Sequence, residues 1–153
     1  ELAPANEWNH DASLDWHLAD QPARRAFGRF VAALGELYRE RSAFWRRDPD
    51  PDGFAWIDCA DRDASIVSYQ RRDGGAHVVV VLNLTPVPRP GYRVGVPDPG
   101  PYRLLLDSDA ADFGGSGDPL PPTFRSEPVA WHGLAQSIVL RLPPLGALVL
   151  EPA

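Results

Sequence analysis

Residues 77–89, HVVVVLNLTPVPR, decide how this chain of 153 residues is read. Four valines in a row, then Leu82 and Leu84, break the in–out alternation that a strand with one wet face would show. β-Branched residues favour extended backbone, and a short apolar run bounded by turn formers reads as a strand buried on both faces. Pro86 and Pro88 end it, because proline cannot donate to a ladder. Just upstream, Asp73-Gly74-Gly75 supplies a turn from a preceding strand, which makes the pair a hairpin.

Working outward, Phe54/Trp56 alternate with Ala55/Ile57/Cys59, and Ile66/Ser68 alternate with Val67/Tyr69. Further strands are expected at Tyr92–Val96, Tyr102–Leu106, Val129–Trp131, Ser137–Leu142 and Ala147–Leu150. Short strands every ten or so residues, punctuated by Pro and Gly, indicate an antiparallel β-sandwich. The N-terminal third differs. Phe27, Phe30, Val31, Leu34, Leu37 and Tyr38 recur at helical spacing, so a helix is expected from Pro22 to Arg41, extending toward Trp45, with Asp20 as N-cap. Gly28 and Gly35 lie seven apart on one stripe, and close approach of another backbone would explain them. Asp48-Pro49-Asp50-Pro51-Asp52-Gly53 stops the helix and serves as a linker.

The net charge of −6 arises from 21 acids against 15 bases, all arginine and scattered as pairs, which argues against nucleic acid as a partner. No apolar run reaches membrane-spanning length. Cys59 is alone, so no intrachain disulfide can form and a reducing, cytoplasmic compartment is expected. Methionine is missing altogether, which points to a processed chain or a piece of a longer one.

Candidate chemistry is sparse. In DSDAADFGGSGD (residues 107–118) the acids suggest a calcium loop, but Ala111 and Asp112 occupy positions where an EF-hand needs a ligand and a glycine, so a solvated loop is expected. The four histidines and Cys59 lack metal-ligand spacing, and neither a metal nor a cofactor is expected. Asn83-Leu84-Thr85 fits a glycosylation acceptor only by coincidence at the end of a buried strand. The best candidate is the irregular segment holding Trp8, Asn9, His10, Asp11, Asp15 and Trp16. Indole faces stack on sugar rings while Asn, Asp and His satisfy hydroxyls, which is what a carbohydrate cleft requires. The competing reading is a loop with its tryptophans packed beneath it.

At EWNHDASLDW (residues 7–16) the chain resembles the segment after the eighth barrel strand of bacterial 1,4-α-glucan branching enzymes, in the α-amylase superfamily. The similarity continues through LGELYRERSAF, DPDGFAWIDC, NLTPVPRPGYRVGVP, LLLDSDAADFGGSG, PVAWHG and LPPLGALVL. Residues 83–95 follow that family's N-F-T-P-V-P-R…Y-R-x-G signature. Ala3-Pro4-Ala5 departs from the F-G/A-Q run of many relatives.

The resemblance implies that Glu1-Leu2 closes barrel strand eight. Residues 1–47 would then be the end of a catalytic (β/α)8 barrel, active-site-side loop plus last helix, and residues 48–153 an all-β C-terminal domain. It implies an enzyme that cleaves an α-1,4 linkage and transfers the freed segment to a 6-hydroxyl, by a retaining mechanism with an Asp nucleophile and a Glu acid/base on earlier barrel strands. No catalytic residue is assigned within this chain. Trp8, Asn9, Asp11 and Trp16 are expected to contact an α-glucan, because a loop after a barrel strand lies on the catalytic face. The alternative is a glucan-binding or barrel-stabilising module of another superfamily enzyme. Separated from the barrel, the helix face of Phe27, Phe30, Val31, Leu34 and Leu37 is expected to lose much of its cover, leaving an apolar patch that promotes self-association.

Overall fold

The computed structural model of the chain describes residues 3–4 and 6–153. One long helix, α1 (Pro22–Glu40), precedes eight strands: β1 (Phe54–Asp61), β2 (Ile66–Asp73), β3 (Ala76–Asn83), β4 (Arg89–Val96), β5 (Pro101–Asp107), β6 (Thr123–Arg125), β7 (Gln136–Leu142) and β8 (Ala147–Pro152). Six strands form one antiparallel sheet in the order β1-β2-β3-β8-β5-β6, and β4-β7 forms a second.

β3 lies inside the large sheet and explains its own composition. Val79 and Val81 point into the space between the sheets, with Ile66, Val94, Val96, Ile138, Leu140, Leu148 and Leu150. Val78 and Val80 point the other way, toward Leu37 of α1, Leu106 and Val149. Each of the four valines is at most 4% exposed. A strand covered on both faces has no wet side to alternate with, so the run is continuous. Leu84 lies beyond the strand and is exposed, against the expectation that it extends the core run. Gly74-Gly75 makes the expected tight turn between β2 and β3, with Asp73 paired to Ala76 and Gly74 at φ +59.

Several expectations are corrected. Gln21, not Asp20, holds the N-cap position, in extended backbone and without a side-chain cap, and Pro22 takes N1, where its missing N–H costs nothing. The helix ends at Glu40 because Arg41 turns extended, and a 3-10 turn, Ser42–Phe44, follows it. Gly28 meets nothing within 4 Å and Gly35 only the Arg39 side chain, so no backbone approaches that stripe. The alternation of β1 breaks at a bulge between Trp56 and Asp58, which buries Ile57 and leaves Cys59 exposed. Val129–Trp131 is no strand; the chain turns there through a Trp131–Leu134 bridge. β6, between Pro122 and Ser126, was not expected. Part of the helix face is covered within the chain: Phe30, Ala33 and Leu37 pack on the large sheet's outer face. Leu34 and Tyr38, 39% and 50% exposed, line a groove of about 570 Å³, and Phe27, 40% exposed, lines a separate one. The match of Glu1-Leu2 to a barrel strand lies outside the described residues.

Candidate functional site

The segment before α1 is shaped by short polar side chains. Asn9 to Ala12 closes a turn in which Asn9 O accepts the Ala12 N–H at 3.2 Å and Asn9 Oδ1 accepts the Asp11 N–H at 3.0 Å. Asparagine does this readily because its amide mimics backbone. His10 Nε2 lies 3.3 Å from Asp11 Oδ1, and its ring sits 6.0 Å from that of Trp8, tilted by 41°. Trp16 begins a 3-10 turn, with Leu18 N–H donating to Asp15 O at 2.9 Å.

A cleft of about 260 Å³ opens beside this turn, lined by Glu7, Trp8, Asn9, Ser13 and Asp15 among others. Of the four residues expected to contact substrate, Trp8 and Asn9 line it. Asp11 and Trp16 do not; both are exposed next to it. Trp8 is 80% exposed and Trp16 63%, so neither indole is packed beneath the loop, as the competing reading required. The cleft combines an open aromatic face, two carboxylates, two amides (Asn6 and Asn9) and a hydroxyl, a set suited to stacking on a pyranose and bonding its hydroxyls. Asp15, a candidate from the sequence, also lines the cleft, whereas His10 does not; Asn6, Glu7 and Ser13 line it without having been candidates.

The other motifs resolve into structure. In the 107–118 loop Asp109 accepts from the Ser116 N–H at 3.0 Å and from its hydroxyl, while Asp118 pairs with Arg141. Burial pushes the Asp107 carboxyl above its ordinary range. Among the described residues no three of His, Cys, Asp and Glu gather in a way that could hold a metal ion. Asn83 is buried, and its amide donates at 2.8 Å to both Val87 O and Pro143 O. His77 is buried with Nε2 3.3 Å from the Tyr102 hydroxyl and Nδ1 3.7 Å from Asp98. Burial lowers its pKa, opposed by Asp98 and reinforced by Arg72. Burial likewise pushes the Tyr102 hydroxyl up to about 12. None of these groups opens onto the Trp8 cleft.

Comparison with known proteins bears on the whole arrangement. Residues 56–153 match the model of the alpha amylase C-terminal all-beta domain. The chain is 48% identical over 154 residues to the 1,4-alpha-glucan branching enzyme GlgB of Cereibacter sphaeroides, covering 100% of this chain and 21% of that protein. It is 51% identical over 152 residues to the enzyme of the same name from Burkholderia thailandensis, covering 97% and 18%. The corresponding figures for Methylococcus capsulatus are 46% over 154 residues, 99% and 20%. The chain thus spans about one fifth of the length of the curated relatives it matches. A solved isomaltulose synthase from Klebsiella sp. LX3 superposes on 80% of this chain and 17% of its own at a TM-score of 0.49 and 17% identity. No helix among the described residues is long and apolar enough to cross a membrane.

Proposed function

We propose, from the premise that this chain belongs to the family of alpha-amylase C-terminal all-beta domains, that it is the non-catalytic end of a cytoplasmic 1,4-α-glucan branching enzyme. The observation that carries this is the 48% identity to one such enzyme across all of the chain, loop and helix included and not the β-domain alone. The activity is transfer of an α-1,4-glucan segment to a 6-hydroxyl, creating an α-1,6 branch. Residues 1–47 belong to the catalytic barrel and residues 48–153 to the β-domain, with α1 shared between them as a packing surface.

The chain contributes binding and not bond breaking. Trp8 offers a ring for stacking, and Asn9, with Glu7 and Asp15 of the same lining, offers hydrogen bonds to sugar hydroxyls. Asp11 and Trp16 reach the same glucan from outside the cleft. A stacked indole adds about 1 kcal/mol or somewhat more beyond the area it buries. Branching of amylose, followed by the fall in iodine staining, is therefore expected from the full-length enzyme and not from these 153 residues alone. Loss of iodine staining with the isolated chain would overturn the assignment of catalysis elsewhere.

The upstream barrel is the partner that covers Phe27, Leu34 and Tyr38, and without it two chains are expected to associate through this face. Light scattering of the isolated chain then shows a mass that rises with concentration, and Leu34→Glu suppresses the rise. A mass that stays monomeric at high concentration contradicts this.

A further inference from the structure

Residues 107–118 join β5 toward β6, and their backbone is closed more tightly than a solvated loop requires. Asp107 Oδ1 accepts the Asp109 N–H at 2.9 Å, and the Asp109 carboxylate in turn holds the Ser116 N–H and hydroxyl. Gly115 N–H donates to Ala110 O at 3.2 Å and Gly117 N–H to Asp109 O at 3.1 Å. A Cβ on Gly115 would fall 2.2 Å from Asp109 O, and one on Gly117 would fall 2.9 Å from Ala111 Cβ. The glycines are therefore demanded by the loop folding onto itself, not by a need for flexibility.

What this closure presents is a 3-10 turn, Ala111–Phe113, and it meets α1. Phe113 stands edge-on to Phe30, with centroids 5.5 Å apart at 65°. Asp112 O accepts from Arg29 Nε at 2.8 Å. Gly114, at φ +84, comes so close that a Cβ would lie 3.2 Å from Ala26 Cβ. At the helix's other end, Arg41 donates to Glu151 of β8 at 2.8 and 3.3 Å. Between these two anchorages Val31, Leu34 and Tyr38 face the open groove.

The N-terminal anchorage matters because α1 carries the cleft. Gln21 N–H donates to Leu18 O at 3.1 Å, and the Arg24 guanidinium donates to Ala3 O, so the segment before the helix moves with its first turns. We propose that the 107–118 loop is a clip that sets the angle of α1 and thereby positions the Trp8–Asp15 cleft for glucan. Phe113, Asp109 and Ser116 are positioning residues in this scheme. The proposal rests on the reading of that cleft as a glucan contact, and its test separates the two.

The test uses the 153-residue chain as wild type, Phe113→Ala, the milder surface variant Arg29→Ala, and Phe113→Leu as conservative control. Amide exchange is expected to quicken about tenfold through the first three turns of α1 in Phe113→Ala while β3 and β8 keep their protection. Arg29→Ala is expected to show a smaller change of the same pattern and Phe113→Leu to restore most of the protection. Unchanged α1 exchange in both disruptive variants overturns the clip, whatever the glucan does. Maltoheptaose titration, read by tryptophan emission, is expected to show affinity about tenfold weaker in Phe113→Ala, since misplacement of contacts costs affinity even when every contact residue is intact. Loosened exchange with unaltered affinity overturns the positioning role. A wild-type chain that gives no response overturns the glucan reading and the positioning role with it, and exchange alone then decides the clip.

Discussion

Asn83 ties three segments together with one side chain. Its amide reaches Val87 O and Pro143 O, while its carbonyl takes the Thr85 N–H at 3.1 Å and the Thr85 hydroxyl at 2.8 Å. Replacement by Ala leaves two carbonyls without their donor in a buried site. Asn83→Ala is expected to cost about 2 kcal/mol or more, read as a lower denaturation midpoint at unchanged slope. Gly53 is as constrained. A Cβ there would sit 2.0 Å from Arg47 O, so Gly53→Ala must push the helix-to-strand connection off β1, at about 1–3 kcal/mol in thermal unfolding. Neither role could be read from the sequence. Asn83 looked like an N-x-T acceptor and Gly53 like a linker residue, because both act on backbone atoms that are distant or turned toward them only after folding. At the cleft, the mixture of indole and short polar side chains drew attention to Trp8 and Asn9 in the sequence, while the exposure of Trp8 came only with the fold. Asp11 sits inside the Asn9–Ala12 turn and Trp16 begins the following 3-10 turn, and neither lines the cleft.

At the scale of elements, β3 was the most legible part of the chain, since burial on two faces writes itself as consecutive valines. The bulge in β1 was not, because one inserted residue leaves the composition unchanged while reversing which side chains face inward. β6 escaped notice because three residues flanked by Pro122 are too short for any period to show. Two histidines, His77 buried and His132 partly buried, each face an aspartate. His77 at the start of β3 faces Tyr102, Asp98 and Arg72, while His132 lies 3.5 Å from Asp58, near Asp61. Burial lowers both pKa values below the ordinary 6.5. The folded state then binds fewer protons than the unfolded one, so stability is complete above about pH 6.5 and falls as pH drops below it. Urea midpoints at about pH 7.5 and pH 5.5 are expected to differ in wild type and to converge in His77→Gln/His132→Gln. Equal pH dependence in the double variant would contradict this. Glu151 adds to the same trend at lower pH: burial alone would raise it, but hydrogen bonds from Arg103 and Arg41 prevail and hold it low, so its contribution is lost only in stronger acid.

For the whole molecule, three layers stack as helix, six-stranded sheet and two-stranded sheet, with one apolar core on each side of the large sheet. The sandwich class followed from strand spacing alone. The seating of α1 on the sheet did not, since a helical stripe names no partner. The order β1-β2-β3-β8-β5-β6 carries a further consequence, for synthesis. β1, β2 and β3 are joined by short turns and can pair as they leave the ribosome. β5 and β6, on the far side, can find each other soon after. The seam between these halves is β8, whose register with β3 joins Val79 to Leu150 across some seventy positions and whose other edge takes β5. Closing so long a loop is entropically costly and must await β8, so the nascent chain carries two half-sheets with raw edges until that strand emerges. A stop at position 147, which removes β8, is expected to yield not a slightly weakened domain but an aggregating one, seen as loss of soluble product on expression.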